Sequence, residues 1–266
     1  MNASRIPAVL SIAGSDSGGG AGIQADLKAF ARCGVHGMTA VTALTAQNTV
    51  GVTRVEPVSA EMIVAQIQAV VDDIGVDAVK VGMIGTVEAI AAVAAGLDLI
   101  RGVPVVVDPV MVAESGADLL ESDARSALIE KIISRATVVT PNIPEARRLT
   151  GLQDAEQVDL ARALLEMGPR AVVVTGGHSD RMIDVFAEPS RTVEIPGPRH
   201  KGGSSHGSGC THSSCLAAML ARGEDRLSAA RAARELASAS VANGIESIGH
   251  GPGPVDVIGL GTRQVP

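Results

Sequence analysis

A glycine-rich segment at positions 205–211, SHGSGCT, leads into a stretch whose pattern favours a long helix. Glycines before a helix leave the first-turn amides free to face an anion, and the helix dipole favours the same negative charge. Gly207, Ser208 and Gly209 could therefore stabilise the charge that builds on a transferring phosphoryl group. Cys210 would lie in the same field, which lowers the pKa of a thiol, and its thiolate could take a proton from a substrate alcohol. The alternative for Cys210 is an inert, buried cysteine on a helix face.

A second glycine-rich segment, AGSDSGGGAG at positions 13–22, lies between a predicted strand and a predicted helix. Consecutive glycines let a backbone approach a ligand closely and point amide groups at it. The segment lacks the Gly-Lys-Ser/Thr of a Walker loop and the spacing of a GxGxxG motif. By itself it is as consistent with a tight strand-to-helix turn as with a binding loop.

Two carboxylates stand where parallel strands would end. Asp108 closes a buried apolar run, where an unpaired carboxylate is badly placed for stability, so a metal or substrate ligand is favoured. Asn142 and Glu145 have the spacing of a helix capping box, with Pro144 in the first turn. Mg²⁺ is commonly held by one or two carboxylates together with substrate phosphates, so Glu145 could serve both as cap and as metal ligand.

Gln47 follows another predicted strand, in the segment AQNT. Its side-chain amide can both donate and accept, which suits the ring nitrogen and amino edge of a pyrimidine. The alternative is a polar loop in which Asn48 occupies a turn.

The elements that would position these residues alternate between strand and helix. Amphipathic spacing is clearest over residues 63–74, and helical patterns also cover Cys210–Ala221 and Leu227–Asn243. A hairpin is predicted from Ile183–Ala187 and Arg191–Ile195. Alternating strands and helices predict an α/β fold whose mainly parallel sheet is covered on both faces. The predicted buried strands are Ala8–Ala13, Met38–Ala43, Ala78–Met83, Val103–Asp108, Thr137–Thr140 and Ala171–Thr175.

The bulk composition limits the partners. We expect one domain over residues 1–266, with 46% hydrophobic residues to build its core. A net charge of −7 argues against nucleic acid or an anionic membrane as the main partner. Three cysteines without metal-binding spacing indicate free thiols in a reducing compartment, the cytoplasm. No apolar stretch approaches the roughly 18–20 residues that a membrane span needs.

Eight segments, in this order, resemble those of the hydroxymethylpyrimidine/phosphomethylpyrimidine kinases of thiamine synthesis, in the ribokinase-like superfamily. The resemblance runs from about Val9 to Pro254. It implies a three-layer sandwich with a mostly parallel central sheet, and ATP-dependent, Mg²⁺-assisted phosphorylation of 4-amino-5-hydroxymethyl-2-methylpyrimidine and of its monophosphate. It also implies a homodimer. The segments are IAGSDSGGGAGIQADLK, TAQNTVGV, KVGMIG, VVDPVM, TPNIPEA, TGGH, HGSGCT and GHGPGP.

The resemblance assigns roles to individual residues. Cys210 falls where ribokinase relatives usually carry an aspartate base, beside the anion hole of Gly207, Ser208 and Gly209. The implied metal ligands are Asp108 and Glu145. The implied pyrimidine pocket consists of Gly14, Asp26, Gln47, Met83 and Val110. The implied ATP contacts are Asp108, Asn142, Thr175, Gly177 and Ser208.

The chain departs from the family pattern at two places. Thr175 stands where many relatives have a lysine that contacts ATP, and Lys201 could supply that charge from a shifted position. The segment before the anion hole also lacks the usual Asn-Thr. Three alternatives stay open: a pyridoxal-type kinase on the same fold, a pyrimidine-binding regulatory module, and a redox sensor built on Cys210.

Overall fold

The computed structural model describes residues 5–112, 116, 119–121, 123–177, 181–200 and 204–261. Strands and α-helices alternate through most of this part of the chain, as the sequence predicts. The strands are β1 Ala8–Asp16, β2 His36–Gln47, β3 Val52–Pro57, β4 Ala78–Val81, β5 Val105–Val107, β6 Val138–Val139, β7 Val172–Val174, β8 Ile183–Glu188 and β9 Arg191–Pro196. The helices are α1 Gly22–Arg32, α2 Ala60–Asp73, α3 Val87–Leu99, α4 Ala124–Lys131, α5 Ile143–Thr150, α6 Gln157–Leu165, α7 Ser208–Ala221 and α8 Arg226–Ala242.

All nine strands of the described residues join one sheet, in the order β3-β2-β1-β4-β5-β6-β7-β8-β9. The six strands from β2 to β7 in this order are parallel, whereas β3, β8 and β9 pair antiparallel with their neighbours. One core cluster packs α2 to α6 on one face, and a second packs α1, α7 and α8 on the other. The predicted three-layer α/β arrangement, with its mostly parallel sheet, is confirmed.

Two features differ from the sequence prediction. Strand β2 runs on to Gln47, and strand β3, which the sequence did not predict, pairs with its end. Strand β3 is almost wholly exposed, so its residues lack the apolar run that marked the buried strands. The predicted hairpin is confirmed as β8 and β9, each one residue longer than expected.

The carboxyl ends of the parallel strands lie at one edge of the sheet, where ligands bind in open α/β folds. Helix α7 begins at the same edge, because the chain returns from β9 to place Gly207 against Gly20. The fold therefore brings the glycine-rich segment at positions 13–22, the strand-end carboxylates and the start of α7 together.

Candidate active site

A cavity of about 580 Å³ lies at this edge of the sheet. Every site residue predicted from the sequence lines it, with the exception of Asp26. The predicted residues in the wall are Gly14, Gln47, Met83, Asp108, Val110, Asn142, Glu145, Thr175, Gly177, Gly207, Ser208, Gly209 and Cys210.

The wall of the cavity extends along the sheet edge from β2 to β8. We call the part of the wall at the ends of β1 and β2, with Gly14 and Gln47, the first arm, and the part at the ends of β7 and β8, with Thr175 and Asp184, the second arm. Four strand intervals separate β1 from β7 in the sheet, a span of roughly 20 Å. The cavity can therefore hold two ligands whose reacting ends meet near α7.

Asp26 does not line the cavity of the ligand-free structure, and its place in the pyrimidine pocket stays a prediction. It lies on the inner face of α1, and its carboxylate accepts hydrogen bonds from Ser11 Oγ at 2.6 Å and Ser214 Oγ at 2.7 Å. Lys80 Nζ lies 2.9 and 3.0 Å from its two oxygens, and both side chains are fully buried. Asp26 thus holds Lys80, whose side chain does reach the cavity wall.

The two glycine-rich segments interlock. Asp16 accepts the backbone N–H groups of Gly18, Gly20 and Ala21 at 2.7, 3.0 and 2.8 Å, and its Oδ2 lies 3.1 Å from His206 Nε2. Gly207 has φ +83°, and a Cβ there would collide with the carbonyl oxygen of Gly20. The glycine-rich segment at positions 13–22 is therefore both a tight turn around Asp16 and part of the cavity wall.

Helix α7 starts at Ser208, with Gly207 as its N-cap. The first-turn amides of an α-helix have no partner within the helix, and here they border the cavity. This arrangement supports the predicted anion hole of Gly207, Ser208 and Gly209.

The electrostatics of Cys210 differ from the sequence prediction. Burial raises the pKa of its thiol to about 12, with further increases from the carboxylates of Asp108 and Asp26. The ammonium of Lys80 and a hydrogen bond from the Gly22 backbone act in the opposite direction but do not prevail. The helix terminus alone predicted a lowered pKa, so that prediction is wrong for the ligand-free site.

Asp108 and Glu145 form an acidic pair at the floor of the cavity. Burial is the main cause of the raised pKa of Asp108, whose Oδ2 accepts a hydrogen bond from Ser213 Oγ at 2.9 Å. Burial, and then repulsion from Asp108, raises the pKa of Glu145 to about 8. Within the described residues no cluster of three or more metal-ligating side chains occurs. Two buried carboxylates, one of which disfavours the ionisation of the other, nevertheless suit Mg²⁺, which takes its other ligands from phosphates and water.

Glu145 also completes the predicted capping box. Its Oε2 accepts the Asn142 N–H at 2.9 Å, and Asn142 Oδ1 accepts the Glu145 N–H at 2.8 Å. Both predicted roles of Glu145, cap and cavity carboxylate, are therefore geometrically compatible.

Sequence reasoning missed several charged residues of the wall. Lys80 carried a signal, since it interrupts the otherwise apolar strand AVKV. The others, Asp16, Asp184, His206, His212 and Arg234, come together only through the fold. Lys201, the suggested substitute for a cation at position 175, lies outside the described residues, as does the last residue of the TGGH segment.

Comparisons with known proteins agree with this geometry. Residues 16–256 match the family profile described as phosphomethylpyrimidine kinase. A hydroxymethylpyrimidine/phosphomethylpyrimidine kinase of Rhizobium meliloti is 50% identical over 254 residues, covering 92% of this chain and 95% of that protein.

No helix in the described part of the chain has the length and apolar character to cross a membrane.

Solved structures show the same likeness. An ADP complex of Bacillus subtilis pyridoxal kinase has a TM-score of 0.88 at 34% identity, covering 97% of this chain and 100% of that one. A phosphomethylpyrimidine kinase of Clostridium difficile has a TM-score of 0.76 at 37% identity, covering 89% of this chain and 98% of that one.

Proposed function

The chain belongs to the phosphomethylpyrimidine kinase family and has its ribokinase-like fold, and from this premise we propose its reaction. The enzyme transfers the γ-phosphoryl group of ATP to 4-amino-5-hydroxymethyl-2-methylpyrimidine, and then phosphorylates the monophosphate to the diphosphate, for thiamine biosynthesis. The observation that carries the proposal is the two-armed cavity with the start of α7 in its wall. Phosphoryl transfer depends mainly on positioning and charge stabilisation, and this layout supplies both.

The first arm suits a flat pyrimidine. A Cβ at Gly14 would come within 3.0 Å of Met83 Sδ, so glycine keeps the slot beside this thioether open. Thr45 Oγ1 donates to Gln47 Oε1 at 3.1 Å, which fixes the side-chain amide. The amide N–H₂ can then donate to a ring nitrogen while the methionine packs on the ring face.

The transfer step joins the alcohol oxygen to the γ-phosphorus as the bond to the bridging oxygen of ADP breaks. The α7 amides stabilise the charge on the transferring group. Cys210 takes the alcohol proton in its thiolate form, which the ammonium of Lys80 favours. In the ligand-free site burial outweighs Lys80 and keeps the thiol protonated, so we infer that the thiolate forms only once the substrates are bound. Asp108 and Glu145 would hold Mg²⁺, which supplies charge neutralisation at the phosphates.

An ADP-release assay tests this function against its alternatives. The proposal expects the highest kcat/KM with the hydroxymethylpyrimidine or its monophosphate. A higher kcat/KM with pyridoxine would favour the pyridoxal-kinase alternative, which the likeness to the Bacillus subtilis enzyme keeps in view. Pyrimidine binding without ADP release would instead favour the regulatory module.

Replacing Gln47 by alanine is expected to weaken pyrimidine binding while ATP binding stays nearly intact. Loss of one buried hydrogen bond costs about 1–3 kcal/mol, equivalent to a rise in the pyrimidine Kd of roughly 5- to 150-fold. Isothermal calorimetry with each ligand measures the difference. The neighbouring exposed Thr53→Ala variant of strand β3 is the control. Equal losses for both ligands would refute the assignment of Gln47.

Replacing Glu145 by glutamine is expected to raise the Mg²⁺ requirement more than it lowers the melting temperature. The glutamine oxygen can still accept the Asn142 N–H, so the cap survives, whereas the charge toward the metal is lost. Activity titrated with Mg²⁺ and thermal melts give the two quantities. A lower melting temperature with unchanged Mg²⁺ dependence would reduce Glu145 to a cap.

In the absence of metal, the stability of the Glu145→Gln variant should depend on pH differently from that of the wild type. The pKa of Glu145 rises from 4.5 in the unfolded chain to about 8 in the folded protein. Its contribution to stability is therefore full below the unfolded value and is lost as pH rises through the folded value. Glutamine cannot ionise, so the melting temperature of the variant relative to wild type should increase between about pH 5 and about pH 8.

We further propose a cytoplasmic enzyme that acts as one domain and forms a homodimer. The three cysteines are all free thiols, which supports a reducing compartment. The dimer rests on the family resemblance alone, and light scattering of the purified protein tests it.

A further inference from the structure

A buried polar cluster lies in the wall of the second arm, away from Cys210. Arg234 of α8 places Nη1 3.2 Å from Asp184 Oδ1, and its Nη2 donates to the Met182 carbonyl at 2.8 Å. His212 Nε2, from α7, lies 3.6 Å from Asp184 Oδ2. The side chains of Arg234, Asp184 and His212 are only 12%, 1% and 5% exposed.

Several atoms of this cluster lack the hydrogen bonds that buried polar groups normally make. Within the described structure, Arg234 Nε, Asp184 Oδ2 and both ring nitrogens of His212 are buried without a hydrogen-bond partner. All three side chains also line the cavity. Such a concentration of unsatisfied donors and acceptors in one wall indicates a site that is completed by a polar ligand.

The position of the guanidinium is closely defined by the backbone. A Cβ at Gly197 would collide with Arg234 Nε and Nη2, so glycine at this position lets the guanidinium lie against the chain. A Cβ at Gly177 would lie 3.9 Å from Nη1. The guanidinium therefore sits beside the segment that follows β7 and includes Thr175.

We propose that Arg234, on α8, is the cation that binds the phosphate chain of the nucleotide. Thr175, at the end of β7, carries no charge and cannot serve as this cation. Nη1 and Nη2 each carry a second N–H besides the one directed at Asp184 or at the Met182 carbonyl, and these two N–H groups can donate to phosphate oxygens. The ligand class is a nucleoside di- or triphosphate. The inference rests on the proposed kinase function but not on which alcohol is phosphorylated.

The test is a set of variants read by ADP binding in calorimetry and by KM for ATP and for the alcohol. Arg234→Gln should raise the ADP Kd and the KM for ATP by about 10- to 100-fold, with the KM for the alcohol changed less than about twofold. Arg234→Lys should retain part of the affinity. Arg231→Gln, an exposed position on the same helix, is the matched control and should change neither quantity.

Thr175→Lys provides a rescue that a merely structural role would not show. In the Arg234→Gln background it should recover most of the ADP affinity, because a cation returns to the same phosphate from β7. In the wild-type background it should change ADP affinity less than about twofold, since the charge is already present. The measurement on Thr175→Lys in the wild-type background tests the proposal even if the Arg234→Gln variant does not fold.

Three outcomes would overturn the inference: unchanged ADP affinity in a folded Arg234→Gln variant, equal losses for ADP and alcohol, or a tenfold gain from Thr175→Lys alone. These results leave the proposed reaction intact if the wild type still phosphorylates the pyrimidine. Conversely, a wild type that binds ADP through Arg234 but prefers another alcohol would contradict only the proposed substrate.

Discussion

Replacing Cys210 by alanine is expected to lower kcat about 100-fold, with little change in ATP affinity. General-base contributions run from about 10² to 10⁴ in rate, and the lower end applies because phosphoryl transfer relies chiefly on positioning and charge stabilisation. The α7 amides, which remain in the variant, supply that stabilisation. Steady-state and single-turnover kinetics measure the loss, and an alanine variant with wild-type turnover would leave Cys210 as a packing residue.

Two companion variants define the role of the thiol. Cys210→Asp should restore part of the rate, because a carboxylate at this place can also accept the alcohol proton. Cys215→Ala is the control, since this buried thiol lies further along the same helix and outside the cavity wall. A similar loss of kcat in both alanine variants would point to helix packing instead.

Alkylation by iodoacetamide reports the protonation state of Cys210 directly. Cys33 and Cys215 are 3% and 0% exposed, so Cys210 should react fastest of the three thiols, and bound pyrimidine should slow it. Because burial raises the pKa of Cys210 to about 12, its rate should keep increasing as the pH rises above 9. A rate that levels off near pH 7 would instead indicate a thiolate in the resting site.

Replacing Lys80 by methionine is expected to lower the free energy of unfolding by about 3–5 kcal/mol, because Asp26 would remain buried without its counter-ion. Burial opposes the charged ammonium, but Asp26 more than offsets it and raises the pKa of Lys80. Lys80 is therefore charged in the folded protein. Urea denaturation of the wild type and the variant gives the difference.

The double variant Lys80→Met/Asp26→Asn should recover much of this loss. The asparagine oxygen can still accept hydrogen bonds from Ser11 and Ser214, and no net charge remains buried. Lys131→Met, at an exposed position in the last turn of α4, should change stability by less than about 0.5 kcal/mol. If the single Lys80 variant lost as little, Asp26 would have to be neutral in the folded state.

The sequence was most informative where a local pattern determines the structure. Buried strands show as β-branched runs, and the capping box at Asn142 is complete within four residues. The contact between Asp26 and Lys80 could not be predicted, because the fold turns that face of α1 toward a residue 54 positions away. The prediction of a lowered pKa for Cys210 was wrong for a related reason. A helix terminus is visible in the sequence, but burial and the nearby Asp108 depend on the assembled sheet.

The contact between Asp16 and His206 joins the wall of the first arm to the loop that starts α7. Neither loop can move without disturbing hydrogen bonds of the other, because Asp16 also organises the turn from Gly18 to Ala21. A ligand that shifts either loop on binding would therefore change the free energy of filling the other arm. Linkage requires this heterotropic effect to be equal in both directions, so the factor by which the alcohol tightens nucleotide binding is also the factor by which the nucleotide tightens alcohol binding.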